Sequence, residues 1–270
     1  RLGDASGGLV FNGGTLRYTG SDLVTNRATT LGPSGGTFEV TGGASLEHGG
    51  VIDGPGALTM AGPGGLTLTG TNTYTGGTVL NGGMLVIHDD ANLGDAAGPL
   101  VFNGGILQTG TAVSTNRATT LQVPGGIIDN NGGSMTHAGV IDGAGPLTKT
   151  GGDDLVLSGE NTYTGGTLID SGRLIGGARS FGIGAIINNA ALVIDEATDA
   201  TLGNVIEGSG SLTKTGTGTL TLTGFNTYRG NTHIDAGVLS VHHDARLGDA
   251  SGGLVFNGGT LRYTGSDLVT

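Results

Sequence analysis

Residues Gly216–Leu239 read GTGTLTLTGFNTYRGNTHIDAGVL, and this stretch decides the fold. Leu220-Thr221-Leu222-Thr223 alternates aliphatic and hydroxyl side chains. Successive side chains of a strand point to opposite faces, so the two leucines share one face and the two threonines the other. Gly224 ends the run after four residues. Such short alternating runs recur along the chain, and none becomes the sustained i, i+3, i+4 apolar pattern of a helix. Only Ala185–Ile194 (AIINNAALVI) leaves the choice open, and Asn188-Asn189 reads there as a turn. Asn12-Gly13, Asn81-Gly82, Asn103-Gly104 and Asn131-Gly132 supply left-handed turn positions between runs. The expectation is an all-β chain with almost no helix.

Working outward, the stretch has two further copies. They are GGLTLTGTNTYTGGTVLNGGML at Gly64–Leu85 and DDLVLSGENTYTGGTLIDSGRL at Asp153–Leu174. GPLTKTG (Gly145–Gly151) and GSLTKTG (Gly210–Gly216) precede the second and third. Asn72, Tyr74, Gly76 and Gly77 return as Asn161, Tyr163, Gly165 and Gly166, and as Asn226, Tyr228 and Gly230. Other motifs repeat beside them. LVFNGG at Leu9 returns at Leu100, TNRATTL at Thr25 returns at Thr115, and VIDG at Val51 returns at Val140 and as VIEG at Val205. A larger unit encloses these. Arg1–Thr25 and Arg246–Thr270 are identical, an offset of 246 − 1 = 245 residues. The expected organisation is one continuous solenoid over 1–270. Residues 1–245 form one tandem unit, with subrepeats near 1–91, 92–180 and 181–245, and 246–270 begin the next.

Asn-Gly between alternating runs is also a hairpin signal. A parallel coil is favoured because long, nearly identical repeats suit the stacking of like on like. Leu66, Leu155 and Leu220 are expected to line up in internal ladders. Coils of roughly 20–25 residues at about 4.8 Å spacing give about four turns per ~90-residue subrepeat. The chain then holds roughly 11–13 coils over about 55–60 Å. Burying an aliphatic such as Leu68 in that core contributes about 2 kcal/mol. A coil of this kind has open strand edges at both ends, and no cap is visible at Arg1 or Thr270. The chain reads as a fragment of a filament or stalk.

The Gly216–Leu239 stretch and its two copies resemble the autotransporter-associated β-strand repeat, also called the passenger-associated transport repeat. The resemblance implies a right-handed parallel β-helix in the passenger of a Gram-negative autotransporter. Such passengers are exported through a C-terminal outer-membrane barrel and displayed on the cell surface. They commonly serve adhesion, aggregation or biofilm formation. The repeat carries no catalytic residues, so the implied chain is not an enzyme. The neighbouring repeats are its first partners. Host or bacterial glycans, proteins or like fibres are further ones, and the membrane is reached only through the barrel.

Composition agrees. Gly is 59 of 270 residues, roughly three times the usual share of about 7%. No Gly-X-Y period makes it collagen, and 36% hydrophobic residues in alternating clusters exclude disorder. A net charge of −11 argues against nucleic acid or anionic lipid as the main partner. Charged residues are 12%, which leaves an exterior expected to be neutral and hydroxyl-rich. The absence of cysteine excludes disulfides and Cys-ligated metals.

Asp89-Asp90, Asp153-Asp154 and Asp244 are the paired or repeated carboxylates that a β-helical polysaccharide lyase or hydrolase would need. Asp153-Asp154 reads as a solvated turn, and Asp89 and Asp244 as matched structural positions. His88 and His243 read as repeat equivalents, as do His48 and His137, with His233 and His242 remaining. Equivalent histidines several coils apart cannot share a metal at bond lengths of about 2 Å, and no cofactor is expected. Gly32-Pro33-Ser34-Gly35-Gly36 fits G-x-S-x-G by letters, yet no helix is expected to follow. Tyr74, Tyr163 and Tyr228 would either stack on carbohydrate in a spaced row or pack over a turn, and packing is favoured. The functional expectation is a structural and adhesive stalk. A self-assembling sheath or fibre and a polysaccharide-cleaving β-helix are the alternatives.

Overall fold

The computed structural model describes residues 7–265. Every strand pairing among them is parallel, with partners 18 to 23 residues apart, as Arg173 with Ala191 and Thr29 with Ile52 show. One coil winds through three short strands and three turns before the chain returns one strand spacing further along. The alternation seen in the sequence is the reason. In Gly65–Leu68 the leucines are buried and the residues between them are half-buried. Unbroken inward columns result. On one face Leu46, Leu66, Leu85, Leu107 and Ile128 stack in register. All five are at most 1% exposed.

Three faces run the length of the solenoid. The first opens with Leu9–Phe11, Thr29–Leu31 and Ile52–Asp53. The second opens with Thr15–Tyr18, Gly36–Val40 and Leu58–Ala61, and the third with Leu23–Thr25, Ser45–His48 and Gly65–Leu68. Among the described residues each face is interrupted once, and each interruption is a copy of the Asn-Thr-Tyr motif. On the first face Thr73 N–H donates to the Ile52 carbonyl and Asp95 N–H to the Tyr74 carbonyl, with no regular strand between. Strands resume at Val113–Thr115 against the short 3-10 turn Asp90–Leu93. On the second face the same pattern joins Thr162 to Ile141 and Ile183 to Tyr163, before Ala200–Leu202 resumes the ladder. On the third, Thr227 bonds Ile206 and Asp249 bonds Tyr228. Among the described residues, three strands, two strandless passes and eight strands give the first face thirteen passes.

This geometry corrects one expectation. Leu66, Leu155 and Leu220 are all buried in ladders, but not in the same one. Leu66 pairs with Leu46 and Leu85 on the third face, Leu155 with Met135 and Leu174 on the first, and Leu220 with Ala200 and Leu239 on the second. A subrepeat is not a whole number of turns, so its copies land on different faces.

Smaller expectations also shift. Ala185–Ile194 is two strands, Ile186–Asn188 and Ala191–Asp195, with the turn at Asn189-Ala190. Gly13, Gly82 and Gly104 take positive φ, but Gly132 does not. Its turn bends without a left-handed residue. The exterior also carries one aliphatic stripe. On the third face Met84, Ile106, Ile127, Thr148, Leu168 and Ile187 form an outward column, aliphatic at five of six places. The expected uncapped ends at Arg1 and Thr270 lie outside the described residues.

Corners need glycine where the chain turns against the coil below. Gly54 has φ 102°, and a Cβ there would sit 2.2 Å from the Leu31 carbonyl oxygen. Gly143 and Gly208, its copies on the other two faces, have φ 107° and 101° and meet Leu121 and Asn188 in the same way.

Candidate functional site

The most repeated chemistry in the chain lies at the three interruptions. Asn72 faces inward and is 4% exposed. Its Oδ1 accepts from Ile52 N–H at 2.8 Å, one coil back, and its Nδ2 donates to the Asn92 carbonyl at 2.6 Å, one coil forward. Asn161 joins Ile141 to Ser180, and Asn226 joins Ile206 to Arg246, in the same way. Each amide therefore pairs backbone groups that a regular ladder would otherwise have paired.

Tyr74, Tyr163 and Tyr228 are fully buried. Their hydroxyls pair with Thr78, Thr167 and Thr232 at 2.6, 2.6 and 2.5 Å. Burial raises all three phenol pKa values. Rings inside the coil cannot stack on a sugar, so packing is their place. Gly76, Gly165 and Gly230 let the chain run against the preceding coil; a Cβ would lie 2.3 Å from backbone at each. Gly77 and Gly166 then turn at φ 82° and 84°.

A second buried centre, outside the candidates read from the sequence, surrounds Arg117. Arg117 is 2% exposed. Its Nε and Nη2 donate to Asp90 Oδ1 and Oδ2 at 2.8 and 3.1 Å. Its remaining bonds go to the carbonyls of Asp90, Gly94, Asp95 and Gly98. One guanidinium thus holds the whole 90–98 excursion. The signal was present in TNRATTL, whose identical copies carry Arg27 and Arg117. Arg27 Nη1 donates to the Gly7 carbonyl as Arg117 Nη1 does to Gly98.

Other polar groups also point inward. His48 and His137 are buried, with Nε2 at 2.9 and 2.8 Å from Thr29 and Thr119 Oγ1. Burial lowers both pKa values, His137 to about 4. Lys149 and Lys214 occupy inward positions of L-T-K-T, where the first copy has Met60. The Lys149 ammonium donates to the Thr150, Gly151 and Ser171 carbonyls, and burial brings its pKa down to about 8. Lys214 donates to Thr215 and Gly216, and burial lowers it likewise.

The carboxylate candidates separate. Asp154 opens the strand Asp154–Leu157 and is not in a turn. It accepts two bonds from Arg173, at 2.8 and 2.6 Å, and this pairing holds its pKa below the ordinary value. Asp153 lies in the turn before it. Asp89 and His243 each cap a 3-10 turn, at Asp90–Leu93 and Asp244–Arg246. The true equivalents are therefore Asp90 with Asp244 and His88 with His242, one residue off the sequence reading. Ser34 lies in a turn between two strands, without the helix a nucleophile elbow needs. Among the described residues, no three His, Asp or Glu side chains gather as a metal site.

An open groove of about 780 Å³ crosses the corner between the first and second faces. Glu160, Arg179, Asp195, Glu196, Asp199 and Thr201 line it. Arg179 pairs with Glu160 at 2.9 Å, Asp195 accepts from Thr215, and Asp199 accepts from Thr219 N–H. Its polar groups hold one another and the coil edges.

Comparison with known proteins finds sequences similar to this one. The passenger-associated-transport-repeat model matches residues 58–87, 147–175 and 212–241. The adhesin BmaC autotransporter of Brucella suis biovar 1 (strain 1330) is 37% identical over 320 aligned positions, 97% of this chain and 9% of that protein. The uncharacterized lipoprotein YdeK of Escherichia coli (strain K12) is 30% identical, over 86% of this chain and 18% of its own length. The deoxyribonuclease CdiA of Dickeya dadantii (strain 3937) is 30% identical over 55% of this chain and 5% of that protein. The chain spans less than a fifth of each of these relatives. No solved structure matches.

Proposed function

We propose that this chain, a parallel β-solenoid carrying three passenger-associated transport repeats, is a non-catalytic length of stalk in a surface-displayed, autotransporter-type adhesin. One observation carries the reading. The side chains that repeat most faithfully, Asn72, Tyr74 and their copies, face inward and bond neighbouring coils or their own turn. Residues repeated in this way act to propagate a rod. The proposed role of each Asn is to bridge an interruption, that of each Tyr to fill it, and that of each Gly to let the chain pass.

A rod of thirteen coils at about 4.8 Å each is about 60 Å long. Adding or removing copies changes its reach without changing any site. That suits a stalk holding a binding region away from a Gram-negative cell, in support of adhesion, aggregation or biofilm. The name of the Brucella relative supports the adhesin reading. Against a polysaccharide-cleaving role stands the engagement of Asp154 by Arg173. A self-assembling extracellular fibre remains the second reading, favoured by the outward aliphatic column from Met84 to Ile187.

Surface proteolysis of intact producing cells, with mass spectrometry of released and retained peptides, separates the readings. The stalk reading expects release of this segment while a barrel peptide stays in the outer membrane. Protection of the segment inside the cell, or release with no barrel retained, sinks it.

A further inference from the structure

The tandem unit closes on a whole number of turns although its subrepeats do not. Ile52 of VIDG lies on the first face, Ile141 on the second and Ile206 on the third. From Ile52 to Ile141 the chain advances four and one third turns, and from Ile141 to Ile206 three and one third. Each copy is thereby rotated by a third of a turn from the last. The rotations cancel over the large unit. Leu9–Phe11 and the identical Leu254–Phe256 stand on the same face, twelve passes apart.

The two copies of this coil also show complementary halves of one environment. Phe11 is 7% exposed because the following coil covers it, with Phe38 at 5.3 Å between ring centroids. Phe256 stands in register on Ile234 of the preceding coil and is 55% exposed. Arg17 pairs with Glu39 of its following coil at 2.8 Å, and Arg262 is its copy. The excursion held by Arg117 has its equivalent after Asp244, where Asp249 and Gly252 match Asp95 and Gly98.

We infer that successive 245-residue units dock end to end by pure translation. The partner for the coil of Leu254–Phe256 and Thr260–Tyr263 is the continuation of the second unit, which begins at Arg246: the portion that corresponds to residues 27–48. There Phe256 is sandwiched between Ile234 of the first unit and the phenylalanine at position 38 of its own unit, as Phe11 is covered by Phe38. The arginine at position 27 of the unit closes on Asp244 and the carbonyls after it, as Arg117 closes on Asp90. Every surface feature, the groove at Glu160 and Asp199 included, then recurs on one side of the rod about every 58 Å. Three rotated subrepeats inside each unit distribute the interruptions over all three faces. This inference rests on coil geometry and is independent of where the rod is displayed.

The test uses the full chain with residues 1–245 present twice in series. A peptide epitope is inserted between Gly42 and Gly43 of each copy, where nothing lies within 4 Å of an added Cβ. Antibody fragments bound to the epitopes are viewed by negative-stain electron microscopy. The expected image has both fragments on one side of the rod, about 58 Å apart. Fragments on different sides overturn the inference. Deleting residues 92–180 from the first copy removes four and one third turns, so the fragments should then stand a third of a turn apart; fragments still aligned overturn it. Hydrogen exchange on the intact array reads the junction directly. Asp244→Asn in the first copy should speed exchange across 244–252 at least tenfold, and an unchanged rate excludes the clamp.

Discussion

The N–H of Ile52 donates to Oδ1 of Asn72 at 2.8 Å, across two consecutive coils of the solenoid. Nδ2 of Asn72 donates a hydrogen bond to the Asn92 carbonyl on the next coil, so one side chain spans three. Asn72→Ala leaves both backbone groups buried without a partner, at about 1–3 kcal/mol each. The amide of Ile52 should exchange with solvent at least tenfold faster, with little effect several coils away. Unchanged exchange at Ile52 would show that water replaces the side chain.

Arg117 and Asp90 form a pair whose arginine is almost wholly inside. Arg117→Met strands the Asp90 carboxylate and four carbonyls, and breaking such a pair costs about 3–5 kcal/mol. The cut should appear first as protease sensitivity within 90–98. Adding Asp90→Asn should recover part of the loss, because the stranded charge is gone. A double variant as weak as the sum of the two singles would deny the coupling.

His137 makes stability depend on pH. Its folded pKa is about 4 against an ordinary 6.5, because burial disfavours the cation. Between these values the unfolded chain binds more protons than the folded one, so stability rises with pH across that window. The contribution is complete above about 6.5 and fades on acidification, by at most about 3 kcal/mol. His48 acts in the same direction. Urea unfolding at pH 4.5 and 7 should separate the native chain from His137→Asn; equal pH dependence in both would remove the assignment.

Gly76 and Gly43 offer a matched pair. A Cβ at Gly76 would lie 2.3 Å from Ala57 N, and one at Gly43 would meet nothing within 4 Å. Gly76→Ala should force the coils apart, at about 1–3 kcal/mol. Gly43→Ala should be close to neutral in thermal unfolding. Equal effects would mean that chain flexibility, not coil contact, selects glycine at position 76.

Much of the architecture was legible in the sequence. L-T-L-T alternation announced strands, the want of any 3.6-residue period announced the near absence of helix, and long nearly identical repeats favoured a parallel coil over hairpins. The buried ionic and polar groups were less legible. Lys149 sits at an aliphatic phase of L-T-K-T and was therefore readable as inward, but nothing local announced the carbonyls that cap it. Arg117 was marked only by the repetition of its heptad. Its six acceptor atoms come from residues 90–98, about twenty residues earlier, and a window of sequence cannot bring them together.

By itself the sequence determined which residues form strands and which of them face inward, because side-chain alternation is a local property of the extended backbone. It also determined the length of each repeat. Only the tertiary structure decided the phase of those repeats around the axis. Coils vary between 18 and 23 residues because the corners differ in length. The number of coils in a subrepeat is therefore set by which backbone edges and inward side chains fit the coil below. That packing places Leu66, Leu155 and Leu220 on three faces and returns Leu254 to the face of Leu9.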